Sequence, residues 1–349
     1  MEFYNLTKEY NEIKDEINQA IQNVLNSGQF IGGKEVEYLE KEIANYCGVK
    51  YAISVNSGTD ALLLSLEAID IKGKEVITTP FTFIATVGAI IRAGGIPVFV
   101  DINEDNFNID VSKIKKVITQ NTKAILPVHL FGNICQMKKI IRLAKDYGLV
   151  VIEDAAQAFG SDYDKKKIGS FGHLTCFSFY PTKNLGGYGD GGMIVTNNKE
   201  FAYKIKLLKN HGSLPQSKYN SIIIGTNSRL DAIQASILRV KLKYVDKQIE
   251  TRRKNAKYYS EKLNQPYFKN SSYNQYTIRI KNRNKVKLNF PYQIYYPKPL
   301  HLLKALEYLG YEKGNFPIAE KVAKEVISLP LLVSKEEQDY VIKQLKNYI

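Results

Sequence analysis

Cysteine is scarce in this 349-residue chain, which has three: Cys47, Cys135 and Cys176. They stand far apart and none belongs to a C-x-x-C pair, so neither a disulfide framework nor a zinc or iron–sulfur site is indicated. Free thiols in a reducing compartment, and no bound metal, are expected. Long hydrophobic runs are also missing. No stretch of about 18 apolar residues occurs, so no membrane span is expected. The opening segment MEFYNLTKEYNEIKDEI is polar, acidic and helical in period. It lacks the basic and apolar regions of a secretory signal, which points to a soluble cytoplasmic protein.

Hydrophobic residues make up 44% of the chain and charged residues 24%. That is ample for a large core, and the length suggests two structural domains. The formal net charge is +14. Such a balance fits nucleic acid, an anionic lipid face or a small polyanionic substrate. The basic residues, however, are spread through segments such as FAYKIKLLKNHG and LRVKLKYVDKQIETRRK, alternating with apolar residues at helix period. That pattern reads as a solvated face, with steering of a phosphate-bearing small molecule as the second reading. No nucleic-acid motif accompanies it.

From about residue 50 to 200, seven short apolar runs alternate with amphipathic segments. The runs are 51–57, 75–80, 96–102, 123–130, 149–156, 174–181 and 191–198, and the helical segments between them are 59–70, 82–93, 110–119 and 135–147. This pattern predicts an α/β domain with a mainly parallel sheet covered on both faces. Chemistry in such sheets gathers at the carboxyl ends of the strands. A long helix is expected over 228–262, then short strands at 276–281 and 293–297 and helices at 300–309, 317–327 and 335–347. We place a larger domain over 1–245 and a smaller α+β domain over 246–349, with the first ~20 residues as a helix packed beside the smaller one. No repeat or long linker interrupts the chain, so the two parts should pack as one rigid unit.

Three clusters carry chemistry. In NSGTDALLLSLEAI, a strand ends at Ser57 and a helix starts after Gly58. Gly58 permits close backbone approach, Thr59 offers a hydroxyl, and the helix N-terminus offers free N–H groups: a phosphate cradle, or ordinary helix initiation. In VVIEDAAQAFG, Glu153 and Asp154 end an apolar strand. A buried carboxylate there needs a positive partner, either a structural one or a protonated pyridinium. In FSFYPTKNLGGYGDGG, Lys183 follows an aromatic strand that carries Ser178, and precedes a glycine-rich loop. A surface lysine is one reading; a lysine held deprotonated by a low-polarity surround is the other.

Taken in order, NSGTDAL, TPFTFIAT, PVHLFG, VIEDAAQA, FSFYPTKNLGGYGDGG, GTNSRLDAIQA and YYPKPLH resemble the motifs of the DegT/DnrJ/EryC1/StrS family of sugar aminotransferases. The resemblance covers nearly the whole chain. It implies the type I aminotransferase fold, pyridoxal 5′-phosphate as cofactor (pyridoxamine 5′-phosphate in turnover) and a homodimer with active sites at the subunit boundary. It also implies action on a nucleotide-linked keto sugar, with glutamate as amino donor. Lys183 resembles the Schiff-base lysine, Asp154 the partner of the pyridine nitrogen, Phe83 the residue stacking on the ring, and Gln157 the residue near its 3-hydroxyl. Gly58, Thr59 and Ser178 match phosphate contacts. Asn227 and Arg229 resemble residues reaching in from the partner subunit, to phosphate and to a substrate anion. His301 and the Gly32–Gly33 turn resemble segments on the sugar side, whereas His129 reads as structural.

Some relatives dehydrate sugars and carry histidine at the attachment position. Lysine at 183 and the lack of a cysteine cluster disfavour that chemistry. The opening segment looks closer to enzymes acting at C3 of dTDP-linked 6-deoxy sugars, with C4 amination and UDP or GDP sugars as alternatives. A regulator that binds nucleic acid through the basic surface is the competing class; the presence of Lys183, Asp154 and Ser178 argues against it.

Overall fold

The computed structural model describes residues 1–164, 166–214 and 217–349. The seven apolar runs form one sheet: β1 (Tyr51–Val55), β2 (Glu75–Thr78), β3 (Ile96–Phe99), β4 (Thr122–Ile125), β5 (Val150–Asp154), β6 (Leu174–Ser178) and β7 (Gly192–Thr196). Their spatial order is β1-β7-β6-β5-β4-β2-β3. Strand β7 runs antiparallel to both neighbours, and every other pairing is parallel.

Alternation along the strands decides what each face buries. Val76, Ala124 and Ile152 enter one core with Leu62, Leu64 and Leu66. Their strand neighbours Ile77, Ile125 and Val151 enter another with Ile140 and Ala144. Both faces are therefore closed, as the near-continuous apolar strands require.

The helices are α1 (Leu6–Ser27), α2 (Lys34–Cys47), α3 (Gly58–Ala68), α4 (Ile84–Arg92), α5 (Val111–Ile114), α6 (Met137–Tyr147), α7 (Lys199–Leu208), α8 (Ala232–Leu242), α9 (Val245–Leu263), α10 (Pro317–Glu325) and α11 (Lys335–Leu345). Local signals set their ends. The Ser57 side chain caps α3, and Ser334 with Glu337 forms a capping box on α11. Gly148 ends α6 in the left-handed conformation that glycine reaches without a Cβ penalty.

Beyond α9, Tyr276–Arg279 pairs antiparallel with Val326–Leu329. These strands share a core with Tyr259 of α9 and Val341 of α11. Three expectations are corrected here. The long helix of 228–262 begins at Ala232 and breaks at Lys243–Tyr244 into α8 and α9. The strand expected at 293–297 is reduced to a bridge between Gln293 and Ser328, since Pro291, Pro297 and Pro299 cannot donate to a ladder. The helix expected at 300–309 is two 3₁₀ turns, Leu300–Leu302 and Lys304–Leu309.

Helix α1 lies on α8, where Ile17 packs with Ile237 and Val240, and Lys241 binds Glu9 at 2.9 Å. Leu300, Leu306, Phe316 and Val322 join the core that holds α3 and α4. Among the described residues, no helix is long and apolar enough to cross a membrane.

Candidate active site

Glu153 and Asp154 are consecutive on β5, so their side chains leave opposite faces of the sheet. Asp154 is 5% exposed. Thr86 Oγ1 donates to its Oδ2 at 2.7 Å, and the Ala156 N–H donates to its Oδ1 at 3.2 Å. Burial pushes its carboxyl upward, while Thr86, the Ala156 amide and the charge of Lys183 work against that shift. On the other side, Glu153 is sealed. It accepts from the Gly172 N–H and from Thr175 Oγ1, each at 2.7 Å, and lies 2.9 Å from His129 Nε2. The Cys135 N–H donates to His129 Nδ1 at 3.1 Å, so Nε2 carries the hydrogen that meets Glu153. His129 is the structural residue the sequence indicated.

Lys183 follows β6 in a turn closed by its own N–H donating to the Tyr180 carbonyl at 2.8 Å. The chain then doubles back, with the Gly187 N–H donating to the Phe179 carbonyl at 2.8 Å. A Cβ on Gly186 would fall 2.3 Å from the Pro181 carbonyl oxygen, so this return requires glycine. Burial pushes the Lys183 ammonium down to about 8, against the opposing charge of Asp154. Lys183 borders a cavity of about 760 Å³, shared with Tyr4, Arg252, Asn274, Gln275 and Glu337.

The third cluster is the start of α3. Ser57 Oγ accepts from the Asp60 N–H at 3.1 Å. A Cβ on Gly58 would come within 2.6 Å of Ser178 Cβ, so the end of β6 and the first turn of α3 touch as only glycine allows. Thr59 sits in that first turn, half-buried. Phe83, just before α4, leaves 57% of its surface exposed and lies 6.3 Å from the Tyr296 ring. Gln157 accepts from the Phe131 N–H at 2.6 Å and donates to the Tyr296 hydroxyl at 3.2 Å.

These features fit a phosphorylated pyridinium aldehyde. A helix N-terminus and two hydroxyls suit phosphate. Asp154, buried among neutral donors, suits a protonated ring nitrogen, and the open Phe83 ring suits stacking. Among the described residues, no group of three or more metal-binding side chains exists.

The family model of the DegT/DnrJ/EryC1/StrS aminotransferases matches residues 11–346. The chain belongs to this family. It is therefore an aminotransferase that works with pyridoxal 5′-phosphate, and its sheet is that of the type I fold. A Geobacillus stearothermophilus protein named pleiotropic regulatory protein is 44% identical, over 98% of this chain and 97% of its own length. The dTDP-3-amino-3,6-dideoxy-alpha-D-galactopyranose transaminase of Aneurinibacillus thermoaerophilus is 42% identical, over 95% of each. The crystal structure of S. venezuelae DesV in complex with a ketimine intermediate superposes with a TM-score of 0.95 at 36% identity, covering 99% of this chain and 97% of that one.

The other sequence-marked residues of the aminotransferase make their contacts with other elements. Asn227 is exposed and bridges to Asn210. Arg229 donates to Asn210 Oδ1 at 3.0 Å while its buried Nε finds no partner. His301 is 2% exposed, 3.1 Å from Glu320 and edge-on to Phe316. The Gly32–Gly33 turn leads into α2 next to the bridge between Ile31 and Asp231. Sequence reasoning passed over Thr86 and Tyr296. Thr86 was discoverable, since it lies three residues after Phe83 in the same motif, within one helical turn.

Proposed function

We propose that this aminotransferase carries an amino group from glutamate to a nucleotide-linked keto sugar, in the cytoplasm and as a homodimer. The observation that carries the reading is the meeting of Lys183, Asp154 and the Gly58–Ser178 contact at the ends of β5, β6 and β1 of one sheet. When bound, pyridoxal phosphate supplies an aldehyde to receive the amino group and a ring that accepts electrons.

The residues do the rest. Gly58, Thr59 and Ser178 hold the phosphate, Phe83 covers one ring face, Gln157 meets the ring hydroxyl, and Asp154 keeps the ring nitrogen protonated. Lys183, with its ammonium lowered to about 8, takes the proton from the donor's α-carbon as a general base. In the second half-reaction it returns a proton to the former ketone carbon of the sugar. One site thus serves two substrates in turn.

The dimer reading draws on exposed apolar residues around Asn227. Ile222 is 53% and Ile224 94% exposed, and Phe30 and Ile31 are 46% and 52% exposed. We place Asn227 and Arg229 at the site of the partner subunit, on phosphate and on a substrate anion, with His301 and Gly32–Gly33 toward the sugar. The name of the Aneurinibacillus relative supports a dTDP-3-keto-6-deoxyhexose over the 4-keto isomer, with a UDP or GDP sugar as the alternative. Incubation with glutamate and each of the two dTDP-keto sugars, followed by NMR of the product, tests this. Amination at C3 is expected, and no product from either sugar overturns the dTDP reading.

The name of the Geobacillus relative supports a second reading, a regulator. Salt-sensitive DNA binding without any transamination would favour it.

A further inference from the structure

The cavity that holds Lys183 is also walled by Arg252 of α9, by Asn274 and Gln275, and by Tyr4. None of these has a part in the mechanism above. Arg252 is 6% exposed. One terminal nitrogen donates to the carbonyls of Tyr273 and Asn274 at 3.2 and 3.4 Å, and its Nε has no partner. Among the described residues no carboxylate forms an ion pair with it. Glu9 influences its charge but is already engaged by Lys241 at 2.9 Å and Gln248 at 3.2 Å. Gln275 Oε1 and Asn274 Oδ1 are likewise buried without partners, while Gln275 Nε2 donates to the Tyr4 hydroxyl at 3.3 Å.

A guanidinium held in the interior without a counter-ion is costly, and its planar fork matches a carboxylate. Arg252 thus lacks an anion, while the two amide oxygens beside it lack a donor, in the same cavity as the lysine that handles the amino donor. We propose that Arg252, with Gln275 and Tyr4 beside it, is the subsite for a carboxylate of the amino donor. The proposal rests on the reading that this donor is an amino dicarboxylate. A sugar diphosphate is the other anion of the reaction. Glu2, Glu9, Glu12 and Glu337 also line the cavity, against the cations of Lys8 and Lys247. That mixed surround suits a single carboxylate better than a multiply charged diphosphate.

The test is calorimetric titration of the holoenzyme with glutarate, a dicarboxylate without an amine, and separately with dTDP. Wild type is compared with Arg252→Met and Gln275→Glu. The second variant supplies a carboxylate from within the cavity and leaves the Arg252 bonds to the two carbonyls in place, so it keeps the fold. Glutarate affinity is expected to fall about 10-fold or more in both variants, with dTDP affinity unchanged. The KM for glutamate rises in parallel, while the rate of the sugar half-reaction holds. If Arg252→Met does not fold, Gln275→Glu decides alone. The subsite is overturned if glutarate fails to bind the wild type, if it binds the variants as tightly, or if dTDP weakens in its place. Glutarate binding that depends on Arg252, in a protein that aminates no keto sugar, would retain the subsite and overturn the sugar reading.

Discussion

Glu153 and Asp154 are neighbours in sequence, both buried, and differ only in which side of β5 they face. Glu153 has a complete set of partners: an amide, a hydroxyl and an imidazole N–H. Asp154 has one hydroxyl and one amide, and its remaining capacity faces the lysine side. A carboxylate whose hydrogen bonds are all internal holds structure together. A buried carboxylate left short of a cation is set up for something that arrives. The two sides of one strand therefore separate stability from chemistry, and substitutions can test that separation.

The largest effect falls on the chemical side. In the proposed mechanism Lys183→Ala removes the base and the attachment point together, and turnover is expected to drop at least about 10⁴-fold in a steady-state assay with an unchanged melting temperature. Asp154→Asn leaves the shape and removes the charge. Turnover should fall about 10²–10³-fold while stability holds or rises, because a buried carboxylate is relieved.

Glu153→Gln should show the opposite signature. The new amide would set an N–H against the Nε2–H of His129, which the Cys135 amide fixes in that tautomer. About 2–4 kcal/mol of stability is expected to be lost in denaturant unfolding, with kcat changed little. Near-equal losses of turnover in Asp154→Asn and Glu153→Gln would break the comparison.

Gly58→Ala probes the cradle rather than the ring. Its Cβ would press on Ser178 at 2.6 Å, and cofactor affinity should weaken about 10-fold, measured by spectroscopic titration, with kcat at saturation nearly retained. The smallest effect is one of pH. In the proposed mechanism the neutral amine of Lys183 captures the aldehyde, and burial lowers its ammonium to about 8. The rate at which apoprotein takes up cofactor should therefore climb as pH rises through about 8 and level off above it. An ordinary lysine would still be climbing near 10.

Much of this was legible in the sequence, for reasons that lie in local physics. Continuous apolar strands can only be buried on both faces, so seven such runs announced the sheet. Gly58 and the glycine-rich loop after Lys183 stood out, and at Gly58 and Gly186 backbones approach more closely than a Cβ allows. The side chosen by Glu153 was not legible, because it depends on His129, Gly172 and Thr175 arriving from elsewhere in the chain. The break between α8 and α9 was hidden, since Lys243 and Tyr244 are tolerable helix residues and α1 does the positioning: Glu16 pairs with Lys243 at 2.8 Å and bonds the Tyr244 hydroxyl. Arg252 looked like one basic residue among many in IETRRK; only the fold turns it inward while Arg253 pairs with Asp162 at 2.6 Å.

The central claim is that Lys183 is the residue to which the cofactor attaches. Borohydride reduction of the holoenzyme, followed by proteolysis and mass spectrometry, tests it most directly. The account predicts the reduced pyridoxyl phosphate mass on the peptide carrying Lys183 and on no other lysine. That mass on a different lysine, or on none in a protein that still transaminates, would contradict it.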